Sequence, residues 1–279
     1  MATARRSGGT AGGSAAKPLS GYVLHTHDWS ESSLILEVWT RELGRVVALA
    51  KGAKRPYSQL RSVLLPFQRL HLQLGNKRLE GGAEVQLLRS AEWAGGGPLL
   101  SGAALLSGLH LNELLLRGLA RHDPHPHLFD VYAATLGRLH RSRDEADEAG
   151  GAAALRAFEL AFLADSGVLP DLSCVTATQQ PVQPAARHLL LADAGVCTTA
   201  SPGDPGISGA VLIALQTALQ ADDIVSLQQA CAGAPQELKS QLRALLHEHL
   251  GTTMLRTRAL MVELQQLLDR APARPPPGR

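Results

Sequence analysis

The sequence predicts an α+β multidomain protein, a small five-stranded β-barrel followed by a helical domain, and three observations carry that prediction. Residues 19–94 break into short, alternating or β-branched runs separated by turn residues, the pattern of strands that bury one face. After GGGP, residues 95–98, the texture changes to long leucine-rich segments with helical spacing. Composition leans the same way: 45% of residues are apolar but only 4% aromatic, which suits leucine-packed helices better than an aromatic all-β interior.

The elements follow in order. Residues 1–18, MATARRSGGTAGGSAAKP, hold two arginines but no apolar stretch of signal-peptide length, and are expected to form a disordered tail. GYVLHTHDW, SSLILEVWT, GRVVALAKGA, FQRLHLQLG and EVQLLRSAEW supply the five strands of a domain over residues 19–94. Glu42, Leu43 and Gly44 make a hairpin connection between the second and third, and residues 75–77 a later loop. This meander opening suits an OB-type barrel; the period alone leaves an SH3-like barrel equally open.

A helical domain is expected over residues 98–270. Leu105, Leu109, Asn112 and Leu116 mark one face of its first helix, and Pro124 opens a second through Phe129, Tyr132, Leu136 and Leu139. A third buries Leu155, Phe158, Glu159, Phe162 and Leu163 and stops at Gly167. Residues 169–206, rich in Pro, Thr, Gln and Gly, are expected to be an irregular insertion with at most a short hairpin. Three helical runs close the chain, the middle one capped by Asp222 or Asp223 and the last broken at Gly251. Residues 271–279, APARPPPGR, cannot continue a helix and are expected to form a disordered basic tail.

Net charge is only +2, so any affinity for nucleic acid must come from local clustering. Such a cluster exists. Arg41, Arg45, Lys51, Lys54, Arg55 and Arg61 face a single carboxylate, Glu42, giving this span an excess of five positive charges. Set on one strand and the following loop of a small barrel, these cations can follow a phosphate backbone and release its counterions. Lysine offers a point charge and arginine a fork for two phosphate oxygens, while Tyr57 can stack on an unpaired base. Solvated surface charge is the bland alternative for any one of them.

Other chemistry is poorly supported. Cys174, Cys197 and Cys231 are an odd number with no CxxC spacing, which argues against a disulfide framework and a zinc site and fits a reducing cytoplasm. His122, His125 and His127 lack a matched second pair, so no metal or cofactor is expected. No GxSxG, GxxxxGK[ST] or GxGxxG occurs, and no catalytic residue is named. No apolar window is long enough to span a bilayer.

The stretch HTHDWSESSLILEVWTRELGRVVALAKGAKRPYSQLRSVLLPFQRLHLQL resembles the amino-terminal barrel of the bacterial recombination mediator family RecO. Ser30, Glu31, Ser33, Thr40, Gly44, Ala50, Lys51, Gly52, Ser58, Leu65, Pro66 and Phe67 fall in register with its motif. ALRAFELAFLADSGVLPDLSCV is similar to the family's central segment, and LLHEHLGTTMLRTRALM to its closing helices, with Thr257 where serine is usual. Many members carry two CxxC pairs in a zinc ribbon; only Cys174 and Cys197 stand at those places here, which implies a degenerate, zinc-free ribbon-like insertion.

The resemblance implies an OB-fold barrel followed by a helical domain, with no catalytic turnover. It implies a DNA repair and homologous recombination mediator that binds ssDNA and dsDNA and anneals complementary strands. The implied protein partners are RecR, the acidic C-terminal tail of single-stranded-DNA-binding protein (SSB) and, indirectly, RecA, in a cytoplasmic, nucleoid-associated setting. Arg121, Arg156, Arg256 and Arg258 are the candidate rim of an acidic-tail pocket in the helical domain. The competing reading is a non-catalytic protein-interaction scaffold with no direct DNA binding.

Overall fold

The computed structural model describes residues 17–75, 85–95, 99–142, 148–199, 205–252 and 254–270. Most of the first tail, all of residues 271–279, and the loop beyond Gly75 lie outside them.

Five strands, β1 (Leu19–Asp28), β2 (Leu34–Thr40), β3 (Gly44–Ala50), β4 (Leu70–Gly75) and β5 (Val85–Trp93), close into a barrel in the order β1-β2-β3-β5-β4. The β3–β5 pair is parallel; the others are antiparallel, and Leu19 opposite Leu72 returns β4 to β1. That Greek-key closure is the OB fold, and it decides the choice that periodicity left open. A five-residue helix, α1 (Gln59–Val63), crosses between β3 and β4; the sequence reading had no element there.

The strands read as they do because they have two dry faces. Val23, Leu36, Val38, Val46, Ala48, Leu70, Leu72 and Leu88 fill the barrel, plugged by Ala53 and Leu64. The intervening Tyr22, Leu24 and Trp39 point outward into the core of the helical domain. Every residue of β3 is buried, so this strand is covered on both faces rather than half solvated.

The helical domain contains α2 (Gly102–Gly118), α3 (Pro126–Arg141), α4 (Glu148–Asp165), α5 (Gly209–Gln220), α6 (Ile224–Cys231), α7 (Pro235–His249) and α8 (Arg256–Arg270). Pro126, rather than Pro124, takes the first turn of α3. Asp223 caps α6 by accepting from the N–H groups of Val225 and Ser226. Gly251, at a φ of 58°, separates α7 from α8.

The expected face of α2 is corrected. The buried stripe of α2 runs through Leu111, Leu114 and Leu115, whereas Leu105 is exposed. A helix this rich in leucine offers several apolar faces, and the phase is set by what packs against it. The insertion at 169–206 holds the short hairpin that its sequence allows, β6 (Arg187–Leu191) against β7 (Gly195–Thr198), and β8 (Ile207–Ser208) just beyond it adds a third strand. This three-stranded sheet is tied to α7 by the Leu190 N–H donating to Gln241 Oε1 at 2.7 Å. Among the described residues, no helix is long and apolar enough to cross a membrane.

Candidate nucleic-acid interface

The segment joining β3 to β4 carries the cations, and backbone hydrogen bonds set its shape. Gly52 takes a φ of 72°, a left-handed value that suits glycine, and its carbonyl accepts from the Arg55 N–H at 3.2 Å. Ser58 N–H then donates to the Arg55 carbonyl at 3.0 Å. Ala53, between the charges, turns inward and is buried, which anchors the turn in the barrel.

Lys54 fastens this turn to the neighbouring β1–β2 loop. Its N–H donates to the Ser32 carbonyl at 3.0 Å, its ammonium to the Ser30 carbonyl at 3.1 Å, and it pairs with Asp28 at 3.2 Å. Its charge is spent largely within the protein. Lys51, Arg55 and Arg61 are exposed and have no ion-pair partner among the described residues, and Tyr57 is 98% exposed. These four remain together on one edge of the barrel, available to a ligand.

Arg41 and Arg45 serve the fold instead. Arg41 makes a bidentate pair with Asp130 on α3, at 3.1 and 2.8 Å, and that hydrogen bond holds the Asp130 carboxyl below its ordinary value. Arg45 is buried between the two domains. Its Nη1 donates to the carbonyls of Leu115, Leu116 and Leu119 at the end of α2, and its Nη2 lies 3.5 Å from the Glu37 carboxylate. A guanidinium so enclosed satisfies the orphan carbonyls of a helix end and cannot reach a phosphate. The expected phosphate contact at Arg45 is therefore withdrawn.

The four arginines expected to rim an acidic-tail pocket do not converge. Arg121 pairs with Glu37 at the domain boundary, where residue 121 bridges Arg45. Arg156 pairs with Glu159 at 2.8 Å, and Glu159 also meets His110 at 2.9 Å. Burial would push the Glu159 carboxyl up, but Arg156 and His110 bring it below its ordinary value. Around this buried carboxylate lie cations that the sequence reading passed over. Burial lowers the Arg243 guanidinium, and Arg258 and Arg156 lower it further; burial, Arg258 and Arg243 likewise lower His247. Arg156, Arg243, His247 and Arg258 thus share one positive field where α4, α7 and α8 meet. Arg243 and His247, four apart on α7, were the available signal.

Glu113 on α2 holds the start of α8: it accepts from the Arg256 and Thr257 N–H groups at 2.9 and 2.8 Å, and from the Thr257 hydroxyl at 2.7 Å. The hydroxyl at position 257 thereby has a structural use. Arg256 is exposed beside this cap.

The remaining chemistry is structural. Burial pushes the Cys231 thiol up to about 12, so it is not a nucleophile at neutral pH. His125 pairs with Asp165 at 2.6 Å, and His127 lies 3.5 Å from Asp222. Among the described residues no group of three or more His, Cys, Asp or Glu could hold a metal ion.

Comparison with known proteins agrees with this architecture. The model of the recombination protein O N-terminal family matches residues 18–95, and that of its C-terminal family residues 99–259. The chain is 50% identical over 247 residues to the DNA repair protein RecO of Polaromonas naphthalenivorans (strain CJ2), covering 88% of this chain and 96% of that one. The corresponding protein of Variovorax paradoxus (strain S110) is 48% identical over 251 residues, covering 88% and 95%. With both halves matched and close relatives covered almost end to end, the chain belongs to the recombination protein O, or RecO, family.

Proposed function

We propose that this chain is a non-catalytic mediator of DNA repair and homologous recombination. Its barrel binds ssDNA and dsDNA, and the protein anneals complementary strands. It works with RecR and with the SSB tail, and so helps RecA load onto SSB-coated strands. One observation supports the DNA-binding step above all: in a RecO-family barrel, Lys51, Arg55 and Arg61 are exposed and unpaired among the described residues, the first two on a turn that Ala53 and Lys54 anchor and the third on α1, which follows it. Pre-placed cations capture a backbone by releasing its counterions, so affinity must fall with salt. The field shared by Arg156, Arg243, His247 and Arg258, with Arg256 nearby, suits a short acidic peptide and lies on helices rather than on the barrel turn.

The test is the salt dependence of single-strand binding. Each phosphate neutralised contributes a slope of about −0.7 in log K against log salt, so Lys51→Ala/Arg55→Ala should make the slope shallower by about 1.4. An unchanged slope would remove the turn from DNA binding. The same double variant should still bind an acidic tail peptide as well as the unaltered protein does. In a parallel assay, annealing of SSB-coated complementary strands should fall when the SSB lacks its tail; annealing that ignores the tail would remove the helical domain from the mechanism.

A further inference from the structure

We propose that Trp29 and Tyr57 are a pair of base-stacking platforms bracketing the cationic turn, and that they bias the barrel towards unpaired nucleotides. The proposal deepens the DNA-binding reading above and rests on it. Of the three tryptophans, Trp39 is fully buried in the domain interface, whereas Trp29 is 61% exposed. Neither the Trp29 nor the Tyr57 side chain has a hydrogen bond or a ring partner among the described residues. The fold has no visible need of either. Trp93 differs: its indole N–H donates to the Val63 carbonyl at 3.3 Å and so holds the end of α1, which accounts for its position.

Trp29 and Tyr57 are distant in sequence but belong to one edge of the barrel. Trp29 sits in the β1–β2 loop, its N–H donating to the Ser33 carbonyl at 3.2 Å. Lys54 binds that loop through the Ser30 and Ser32 carbonyls, and Tyr57 follows three residues later in the turn closed by Ser58. Both rings are thus carried by hydrogen-bonded backbone, the condition for a platform that loses little freedom when a base arrives.

The charges around the two rings differ. Tyr57 stands between Arg55 and Arg61, where phosphate is welcome; Trp29 stands between Asp28, whose charge Lys54 offsets, and the exposed carboxylate Glu31, where it is less so. A single strand has one phosphate edge and one base edge, so it can lay phosphates along Lys51, Arg55 and Arg61 and turn bases towards the rings. A duplex has a second phosphate edge, which finds no free cation beside Trp29 among the described residues and meets the Glu31 carboxylate, and its bases are already stacked on one another. The arrangement therefore favours unpaired bases.

The test uses the full-length protein and three labelled probes: a thymidine oligonucleotide of about fifteen units, long enough for one barrel, an abasic strand of equal length, and a duplex. Trp29→Ala and Tyr57→Ala should each weaken the thymidine strand on the order of tenfold and leave the abasic strand unchanged, since stacking needs a base and counterion release does not. Trp29→Phe should restore most of the loss. The preference for thymidine strand over duplex should shrink in both alanine variants. Equal losses on thymidine and abasic strands, or no loss on either, would overturn the stacking pair while leaving DNA binding intact. If the unaltered protein binds none of the three probes, the DNA-binding reading itself falls and takes the stacking pair with it.

Discussion

Arg45 and Lys51 stand six residues apart on one strand and its turn, carry the same charge, and do opposite work. Lys51 meets solvent, whereas Arg45 closes the end of α2 from inside the domain boundary. Removing it strips three helix-end carbonyls of their donor in a dry site and leaves Glu37 to Arg121 alone, a loss of about 1–3 kcal/mol for each group left unpaired. Arg45→Ala should therefore lower the urea midpoint sharply without changing DNA affinity per folded molecule; Lys51→Ala should do the reverse, with stability within about 0.5 kcal/mol of the parent. A loss of affinity in folded Arg45→Ala would return that arginine to the interface. Sequence could not separate the two, because the groups that bury Arg45 arrive some 70 residues later in the chain. The exposed cations were legible, since the turn that presents them is local and marked by Gly52 and Pro56. Trp29 was not, because nothing in the residues around it says whether a lone tryptophan will be core or surface.

At the level of elements, the attachment of α8 depends on one carboxylate from α2. Burial alone would raise the Glu113 carboxyl, but the Thr257 and Arg256 N–H groups, the Thr257 hydroxyl and Arg117 hold it below its ordinary value. A carboxyl depressed in the folded state contributes stability that is complete above its unfolded value, about 4.3, and is lost as pH falls through the lower folded value. Glu113→Gln keeps the shape but not the charge at the α8 N-terminus, so it should cost about 1–2 kcal/mol near neutral pH. The difference from the parent should narrow as pH falls through the lower folded value; denaturation curves at several pH values check it, and a difference independent of pH would mean that Glu113 acts by packing alone. Element type was largely legible here: five strands, the long helices, the Asp223 cap and the Gly251 break all follow from local pattern. What escaped were α1, too short to show a period, and β8, whose two residues pair with β6 only through a long-range ladder. The phase of α2 escaped for the opposite reason, an excess of leucine.

On the scale of the whole molecule, the barrel and the helical domain share a core, and this bears on how the two candidate surfaces work together. Tyr22 and Trp39 from the barrel pack against Phe129 and Tyr132 of α3, edge-on except for the tilted Tyr22–Phe129 pair, with ring centroids 5.0–5.5 Å apart. Asn112 of α2 donates to the Leu24 carbonyl at 3.0 Å and accepts from the Tyr132 hydroxyl at 2.6 Å, so one buried amide ties β1, α2 and α3 together. Gly44 completes the seam: at a φ of 69° it lies so close to Asp123 that an added Cβ would fall 2.1 Å from that carbonyl oxygen. Tethered domains would search for their ligands independently; fused ones hold the cationic turn and the α4–α7–α8 cluster in one geometry. Fusion also predicts one cooperative unfolding transition. In a Trp29→Phe/Trp93→Phe background, Trp39 emission reports the seam alone, and its urea curve should overlay the loss of helical ellipticity. Adding Asn112→Ala strands the Leu24 carbonyl and the Tyr132 hydroxyl in a dry interface, costing about 1–3 kcal/mol for each group left unpaired. It should move both curves to lower urea by the same amount. Separation of the two curves, with Trp39 released while the helices persist, would show that the domains unfold independently and that the seam is a contact rather than a shared core.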